Sequence, residues 1–578
     1  MKAIKSIPSK DYIFRLLLIA SIFILFANLF TYFNNTRNVE LDQYDVMLSC
    51  ESVPVPVFSV PEGIYEQPFE LQIQAPEGHN IFYTTDGSIP TVRSNRYRKS
   101  IKVNPQKNLN KEILSISNST EWIPPSGRQN HCVVLRARCF RDGVGYGKVK
   151  NVIYSPPTIN QHHGFQVIHI LIEADSLFSP KRGIDVLGQK YYSKKTRIAM
   201  DSLYNINEIE IYDYPANYLQ RGKNWIRPAE MILTDTAGKT TFEQSVRLCI
   251  HGNNTRFYSV RTYRIMPDNI RGDTVINYRF FDHLPYDTFK KILLRSSGND
   301  QRWTMFRDAM VQQISKEAME LDIQEYAPAV LYINGNYWGI RNIREMINEN
   351  YLEIKYGAAL ENIDILEGSW SLKYGHDQSL QSFNDLIRYL QENSLADEET
   401  YQYVCTQIDI DNFTDYFILE TFFAASDWPG INNRPYRIRQ QTETMSQKNV
   451  EAGKWRWLVF DLDETMRDEP ISVNMFKKLK NNSSNNYITI IFFALLENIE
   501  FKRKFLDRYE YIITNCFTTQ NIMRYVEDFE DRYQYEMDRH IARWRYPLIK
   551  RLWRYHVQHM KDFAQERPNI VLEQLKEL

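Results

Sequence analysis

From Leu16 to Phe33 the chain runs eighteen residues without a charge, LLLIASIFILFANLFTYF. As a helix rising ~1.5 Å per residue, such a run is about 27 Å long, just enough to cross a bilayer core of roughly 30 Å. Any folded body must therefore be built from the residues beyond Phe33. Lys2, Lys5, Lys10 and Arg15 precede the run, whereas Arg37, Glu40, Asp42 and Asp45 come after it. The positive-inside bias then places residues 1–15 in the cytoplasm, with residues 16–33 as a single-pass anchor in the plasma (bacterial inner) membrane and the bulk outside. A cleaved signal peptide would have a shorter apolar region ending in a small-x-small site. Here the run gives way to Asn34-Asn35-Thr36, and the lipoprotein-like Leu48-Ser49-Cys50 lies well beyond it, so the residues favour a retained anchor.

The remaining length of this 578-residue chain suggests roughly two to four folded units, and 43% hydrophobic with 24% charged residues is a globular composition that excludes collagen-like or wholly disordered readings. Seventy Lys+Arg against 71 Asp+Glu give a net charge of -1, so no global field draws the chain onto nucleic acid and no nucleic-acid partner is expected. The six cysteines include no C-x2-C or C-x4-C pair, which argues against a zinc ribbon or a disulfide scaffold and for small buried hydrophobes.

Residues 34–53 are polar and aperiodic and read as a tether. From Val55 the pattern turns to short strands: Phe69, Leu71, Ile73 and Ala75 alternate with polar residues, Ile81 to Thr85 is a second run, and Asp86-Gly87 signals a hairpin. Residues 54–155 thus read as a small β-sandwich. Pro156-Pro157 marks a linker, after which strands and helices mix. Val330 to Ile333 and Tyr337 to Ile343 flank Asn334-Gly335, the strongest hairpin signal in the chain, and helical periodicity runs over 307–318, 379–390, 411–425 and from Glu500 onward. The overall class is α+β. Arg543, Trp544, Arg545, Arg551, Trp553 and Arg554 recur at helical spacing with Tyr546, Leu552 and Tyr555, which reads as a packed helix with a solvated basic side.

G-x-x-x-x-G-K-[ST], G-x-G-x-x-G, H-E-x-x-H and G-x-S-x-G are all absent, so common nucleotide-binding and hydrolase classes lose weight. Carboxylates stand instead where elements stop. Asp427-Trp428-Pro429-Gly430 breaks a helix and puts Asp427 on a loop, with Asn432-Asn433 just after it. The apolar run Lys454 to Phe460 predicts a strand that delivers Asp461-Leu462-Asp463 at its end. An Asp, an Asn five residues on and a strand-terminal Asp suit phosphoryl transfer: one carboxylate orients a hydroxyl while the amide oxygen and second carboxylate hold Mg²⁺. Asp-x-Asp also serves calcium sites and glycosyltransferases, and a loop Asp before Pro-Gly is commonly a turn residue, so the residues alone leave these alternatives open.

Two resemblances sharpen this reading. YTTDGSIPT (83–91) followed by Tyr97 resembles the chitobiase/hexosaminidase C-terminal type of β-sandwich module over residues 54–155, which implies an accessory spacer or weak surface-carbohydrate contact. The ordered motifs RPAEMIL (227–233), RLCIHGNNTRFYSVRTYRI (247–265), LLRSSGNDQRWTMFRDAM (293–310), VLYINGNYWGIRNIRE (330–345), DWPGINNRPYRIR (427–439) and KWRWLVFDLDET (454–465) resemble the spore-coat protein H (CotH-like) kinase family over residues 164–575. That resemblance implies an atypical protein-kinase-like domain transferring phosphate from ATP to Ser on a protein acceptor. It makes Asp427 the catalytic-loop aspartate, Asn432 or Asn433 the metal-binding asparagine, and Asp461 with Asp463 the metal-binding acids. Arg261, Arg264, Gly252, Asn253 and Glu345 are then placed at the nucleotide. The family usually has Lys where this chain has Arg261, a forked cation in place of a compact one. Two rival readings remain: a pseudokinase used for surface binding or adhesion, and a metal-dependent glycan-active enzyme. Arg256, Arg264, Arg295 and Arg307 either reach phosphates or pair, buried, with Asp300, Asp308 or Glu345. Gly252-Asn253 either approaches phosphates through backbone N–H groups or makes a turn.

Overall fold

A computed structural model of the chain describes residues 54–106, 111–200, 215–368, 371–440, 450–467, 469–481 and 486–578. The expected cytoplasmic segment, anchor and tether (1–53) lie outside the described residues, and among those described no helix is long and apolar enough to cross a membrane. The architecture is α+β with a β-sandwich-like unit at its N-terminal side.

In that unit a five-stranded sheet runs Gly63–Ile64, Val144–Ser155, Val133–Arg141, Asn80–Thr84, Asn95–Arg96, with short strand pairs covering a core of Leu71, Ile81, Val103, Leu135 and Tyr154. The Asp86-Gly87 signal does not make a two-residue hairpin, because the next strand begins only at Asn95. Of the pair only Gly87 takes a positive φ, +85°. Its lack of a side chain serves docking instead: a Cβ there would fall 2.0 Å from Asn334 Oδ1, in the next domain.

That domain is built on nine strands in the order Tyr326–Ala327, Asn342–Glu345, Ile292–Arg295, Thr262–Pro267, Thr240–His251, Arg227–Thr234, Gln166–Leu171, Ala329–Ile333, Asn336–Ile340. Asn334 and Gly335 form the expected hairpin, both at positive φ (+48° and +80°). Strand side chains alternate between faces. One face (Ile170, Leu248, Ile250, Tyr263, Ile265, Leu294, Ile343) is mainly apolar and packs into its own cluster. The opposite face begins apolar, with Val167, Ile232, Val330 and Ile340 packed in the cluster that holds the helices. Farther across it turns polar, because Cys249, Arg264, Leu293 and Arg344 lie in register over four strands, flanked by the pairs His251–Thr262 and Arg295–Asn342.

The helices Arg307–Ser315, Ile410–Phe422, Ile499–Asn515, Thr519–Trp544 and Lys550–Leu575 pack on this second face. Ile410–Phe422 is buried on every side from Asn412 onward, its polar Asn412, Thr414, Asp415, Glu420 and Thr421 included, and each large apolar side chain it buries contributes ~1.5–3 kcal/mol. The C-terminal Arg/Trp residues divide between core and surface: Arg543 stacks on Trp338 and Trp544, at 4.3 and 3.8 Å, and Trp553 is buried, while Arg551 and Arg554 stay exposed.

Candidate active site

The central helix ends at Phe422, three residues before its expected end, because Ala424 takes a left-handed conformation (φ +51°) that helix cannot continue. The turn is fixed from outside: Met466 N–H donates to Phe423 O at 2.8 Å and Ser426 N–H to Glu464 O at 3.3 Å. Trp428 pins the next step, its indole N–H donating to the Tyr416 hydroxyl at 2.8 Å inside the core. Asp427 is left half-buried between these anchors. The expected strand over 454–460 contracts to Arg456–Trp457. After it Val459 N–H donates to Asp322 O, and Asp461 leaves the sheet at φ +62°, a conformation Asn and Asp tolerate better than most residues. Asn432, also left-handed at +59°, closes the triangle, its amide donating to Asp427 Oδ2 at 2.7 Å and to Asp461 O at 3.4 Å.

Arg295 connects this triangle to the polar face of the sheet. Its guanidinium lies 2.5 Å from Asp461 Oδ1, 3.7 Å from Asp308 Oδ2 and 3.9 Å from Asp463 Oδ1. Asp308, in the first turn of Arg307–Ser315, also pairs with Arg344 and accepts from Leu462 N–H at 2.9 Å. Burial pushes its carboxyl up, but Arg344 and Arg295 outweigh that and hold it down to about 2. Asp427 behaves oppositely. Burial first, then the negative charges of Asp461 and Glu464, push it up to about 7. Beneath it Glu420 is buried with neither oxygen hydrogen-bonded among the described residues, and burial drives its carboxyl well above the usual range.

Asp463 does not share the cleft with Asp461. It is 2% exposed, accepts from Asn299 N–H and, through burial and the adjacent Asp461, is raised well above the ordinary carboxylate range. It is a brace for the turn Ser297-Gly298, in which both residues take positive φ. A Cβ on Gly298 would lie 2.2 Å from Asp463 Oδ2, whereas one on Gly78, also at positive φ, would meet nothing within 4 Å. Gly78→Ala is therefore expected to cost only the left-handed penalty of about 1–2 kcal/mol, and Gly298→Ala distinctly more. Parallel thermal melts check this, the larger drop belonging to Gly298→Ala.

The structure sorts the other expected residues. Arg264 lies on the site face, its Nε without a hydrogen-bond partner among the described residues and its NH2 donating to Cys249 Sγ at 3.1 Å. Burial together with Arg264, Arg295, Arg256 and Arg434 holds the nearby His251 imidazole neutral, down to about 3. A concentrated positive field therefore sits beside the acidic triangle. Arg261 is placed elsewhere: it is 1% exposed, pairs with Asp185, donates to Asn118 O and Arg256 O, and stacks over Tyr218 at 4.0 Å. Arg256 gives its donors to the carbonyls of Gly252, Tyr218, Gln220 and Ile250, and Arg307 is buried against Asp300 at 3.7 Å. Both are structural.

Gly252 and Asn253 form the exposed turn after the Thr240–His251 strand, where Arg221 donates to Gly252 O and Asn253 Oδ1. Glu345 lies on the opposite, apolar face, since it pairs with Ile292. There it accepts from the Tyr286 hydroxyl at 2.6 Å and from Glu325 N–H at 3.2 Å, and burial raises it to about 7. The site-facing neighbour is Arg344. Asn433 is fully buried, donating to Pro429 O at 2.5 Å and accepting from the Tyr487 hydroxyl, which leaves Asn432 as the amide in the cleft. Asp308, Arg344 and Asn299 were not singled out from sequence as site residues. Their local signals are only a first helical turn, a strand position and a turn, and the partners that give them a role are distant in sequence: Arg344 lies 36 residues from Asp308, and Asp308 and Asn299 meet Leu462 and Asp463 more than 150 residues away.

The donor set suits magnesium, which takes one or two carboxylates plus neutral oxygens and substrate phosphates. Asp461 is 36% exposed toward the cleft, and Asn432, having given its N–H to Asp427, keeps its amide oxygen. Among the described residues no three His, Cys, Asp or Glu side chains come close enough to cage a metal by themselves, so the site would rely on the amide and the substrate.

A search of curated proteins finds no match to the chain. Residues 60–112 match the family described as Chitobiase/beta-hexosaminidase C-terminal domain, within the sandwich expected over 54–155. Residues 248–571, which hold the acidic triangle, Arg264, Arg295 and Asp308, match the family described as CotH kinase protein. With more than half of its length in that match, the chain belongs to the CotH kinase protein family.

Proposed function

We propose that this chain transfers the γ-phosphoryl group of ATP to a hydroxyl, with protein Ser as the acceptor class. The observation that carries the reading is the junction of two opposed fields: Asp461 of the Asp427–Asn432–Asp461 triangle pairs with Arg295, and Arg264 lies on the same face of the neighbouring strand. A phosphate chain needs cations along its length, and the acceptor hydroxyl needs a carboxylate at its end. Arg264 and Arg295 orient the phosphate oxygens. Asp427 orients the acceptor hydroxyl and takes its proton as the new P–O bond forms and the bond to the ADP oxygen breaks. A magnesium ion held by Asp461 and the Asn432 amide oxygen would neutralise charge on the phosphate oxygens. Arg261, whose replacement of Lys favoured the pseudokinase reading, is committed to Asp185 and two carbonyls, so phosphate recognition on this proposal does not depend on it.

On the same reading residues 16–33 hold the body outside the plasma membrane, and the sandwich adds contact with surface carbohydrate. The test is calorimetric titration with ATP and Mg²⁺, and then radiolabelled ATP with a Ser-rich acceptor. Binding and label transfer support the proposal, and absence of nucleotide binding moves the chain to the pseudokinase class.

The two asparagines give a separable prediction. Asn432→Ala is expected to weaken Mg²⁺-dependent ATP binding about 10- to 100-fold with a melting temperature near wild type. Asn433→Ala removes a fully buried amide that donates to the Pro429 carbonyl and accepts from the Tyr487 hydroxyl; losing these two hydrogen bonds, about 0.5–1.5 kcal/mol each, should lower the melting temperature measurably.

A further inference from the structure

The β-sandwich is not joined to the catalytic domain by a linker alone. Between consecutive strands Ile101–Val103 and Val133–Arg141 its chain makes a long excursion, and part of that excursion is built into the catalytic domain. Ile113 and Leu114 are 6% and 7% exposed and belong to the same apolar cluster as Val260, Tyr263 and Leu294. Beyond them, Asn118 Nδ2 donates to Ser259 O at 2.9 Å, Asn118 O accepts from Arg261 at 2.9 Å, and the Ser119 and Ser259 hydroxyls meet at 2.6 Å, all buried. Two residues on, Glu121 pairs with Arg302 at 2.5 Å and accepts from the Tyr546 hydroxyl at 2.9 Å.

These contacts converge on the two loops that frame the candidate site. The Gly252–Arg261 loop leads into the strand of Arg264. The turn from Ser297 to Arg302 carries Asn299, whose backbone N–H holds Asp463 and whose amide donates to Glu464 at 2.7 Å. The loops are bonded to each other as well: the Tyr258 hydroxyl donates to Asn299 Oδ1 at 3.1 Å, Ser296 N–H donates to Thr262 Oγ1 at 3.0 Å, and Arg302 stacks over the Tyr258 ring at 4.6 Å. An unbroken path of contacts thus runs from Asn118 and Ser119 of the sandwich, through Ser259 and Tyr258, to the acids just after Asp461.

We infer that residues 113–121 of the accessory unit are a positioning element of the site, holding the phosphate-side loop and the Asp463-bracing turn in one geometry. The role at phosphates rests on the function proposed above; the mechanical role does not. Asn118 and Ser119 touch no reacting atom and act through Ser259 and Arg261.

The experiment uses the full chain with the double substitution Asn118→Ala and Ser119→Ala, beside Glu121→Gln. Amide hydrogen exchange should rise about 10-fold at 256–262 and 296–302 in the double variant, matching one or two hydrogen bonds lost, and ATP–Mg²⁺ affinity should fall about 10-fold. Glu121→Gln, at a half-exposed pair, should fold normally and speed exchange mainly at 298–303; if the double variant fails to fold, this variant decides. Faster exchange confined to 113–131, or unchanged in both loops, overturns the inference. Should the wild type bind no nucleotide, the phosphotransferase reading falls while the exchange results still judge the strut.

Discussion

Asp461→Ala is expected to abolish the magnesium dependence of nucleotide binding, weakening ATP–Mg²⁺ affinity by at least about 100-fold. Magnesium bound by few protein ligands has no spare carboxylate to replace the lost one, and Asp463, the nearest acid in sequence, is buried and turned to Asn299 N–H. The fold should survive. Asp461 is about one-third exposed, and Arg295, released from it, keeps Asp308 and Asp463 within ion-pair reach. The freed guanidinium gives the variant a distinctive signature: residual affinity for ATP that is the same with Mg²⁺ and with a chelator. Titrations under both conditions measure it. A variant that retains the wild-type response to Mg²⁺ would remove Asp461 from the metal site.

Asp427→Asn should lower turnover by ~10²- to 10⁴-fold, the usual worth of a positioned general base, while ATP–Mg²⁺ affinity stays near wild type. Asparagine retains an oxygen to accept from Asn432, so the triangle keeps its shape and the substitution removes a proton acceptor alone. Because the interaction is made only as the hydroxyl loses its proton, kcat and kcat/KM for the acceptor should fall together. Steady-state kinetics with a labelled acceptor test this. Equal loss of nucleotide affinity in both variants would refute the division of labour between the two aspartates.

Much of the fold was legible locally because its causes are local. Asn334-Gly335 makes a hairpin since the pair tolerates positive φ, and the helix at 410–422 shows one packed face in Phe413, Tyr416 and Phe417 at helical spacing, although the burial of its polar Asp415 and Glu420 does not follow from that pattern. The break before Asp427 was also readable, although its position was not: Ala424 is held left-handed by the chain at 464–466, and no feature of alanine announces that. The run 454–460 looked like one strand because both its faces are apolar. Most of it instead packs as irregular chain against Asp322 and the helix cluster.

The site divides along the same line. Sequence by itself determined that Asp427, Asn432 and Asp461 stand at breaks in regular structure, since those residue types tolerate turns and left-handed backbone, and that a cation-rich segment lies upstream. It left Asn432 and Asn433 equivalent, because adjacent asparagines differ only in which one the core swallows. Only the tertiary structure decided that Arg264 and Arg295 face the acids while Glu345 lies on the far side of the sheet, since strand register, through its period of two, assigns each side chain a face. It also decided that Arg261 pairs with Asp185 and a segment of the accessory unit. A salt bridge spanning 76 residues, and a carbonyl contact spanning 143, depend on how the chain returns on itself, which no local spacing encodes.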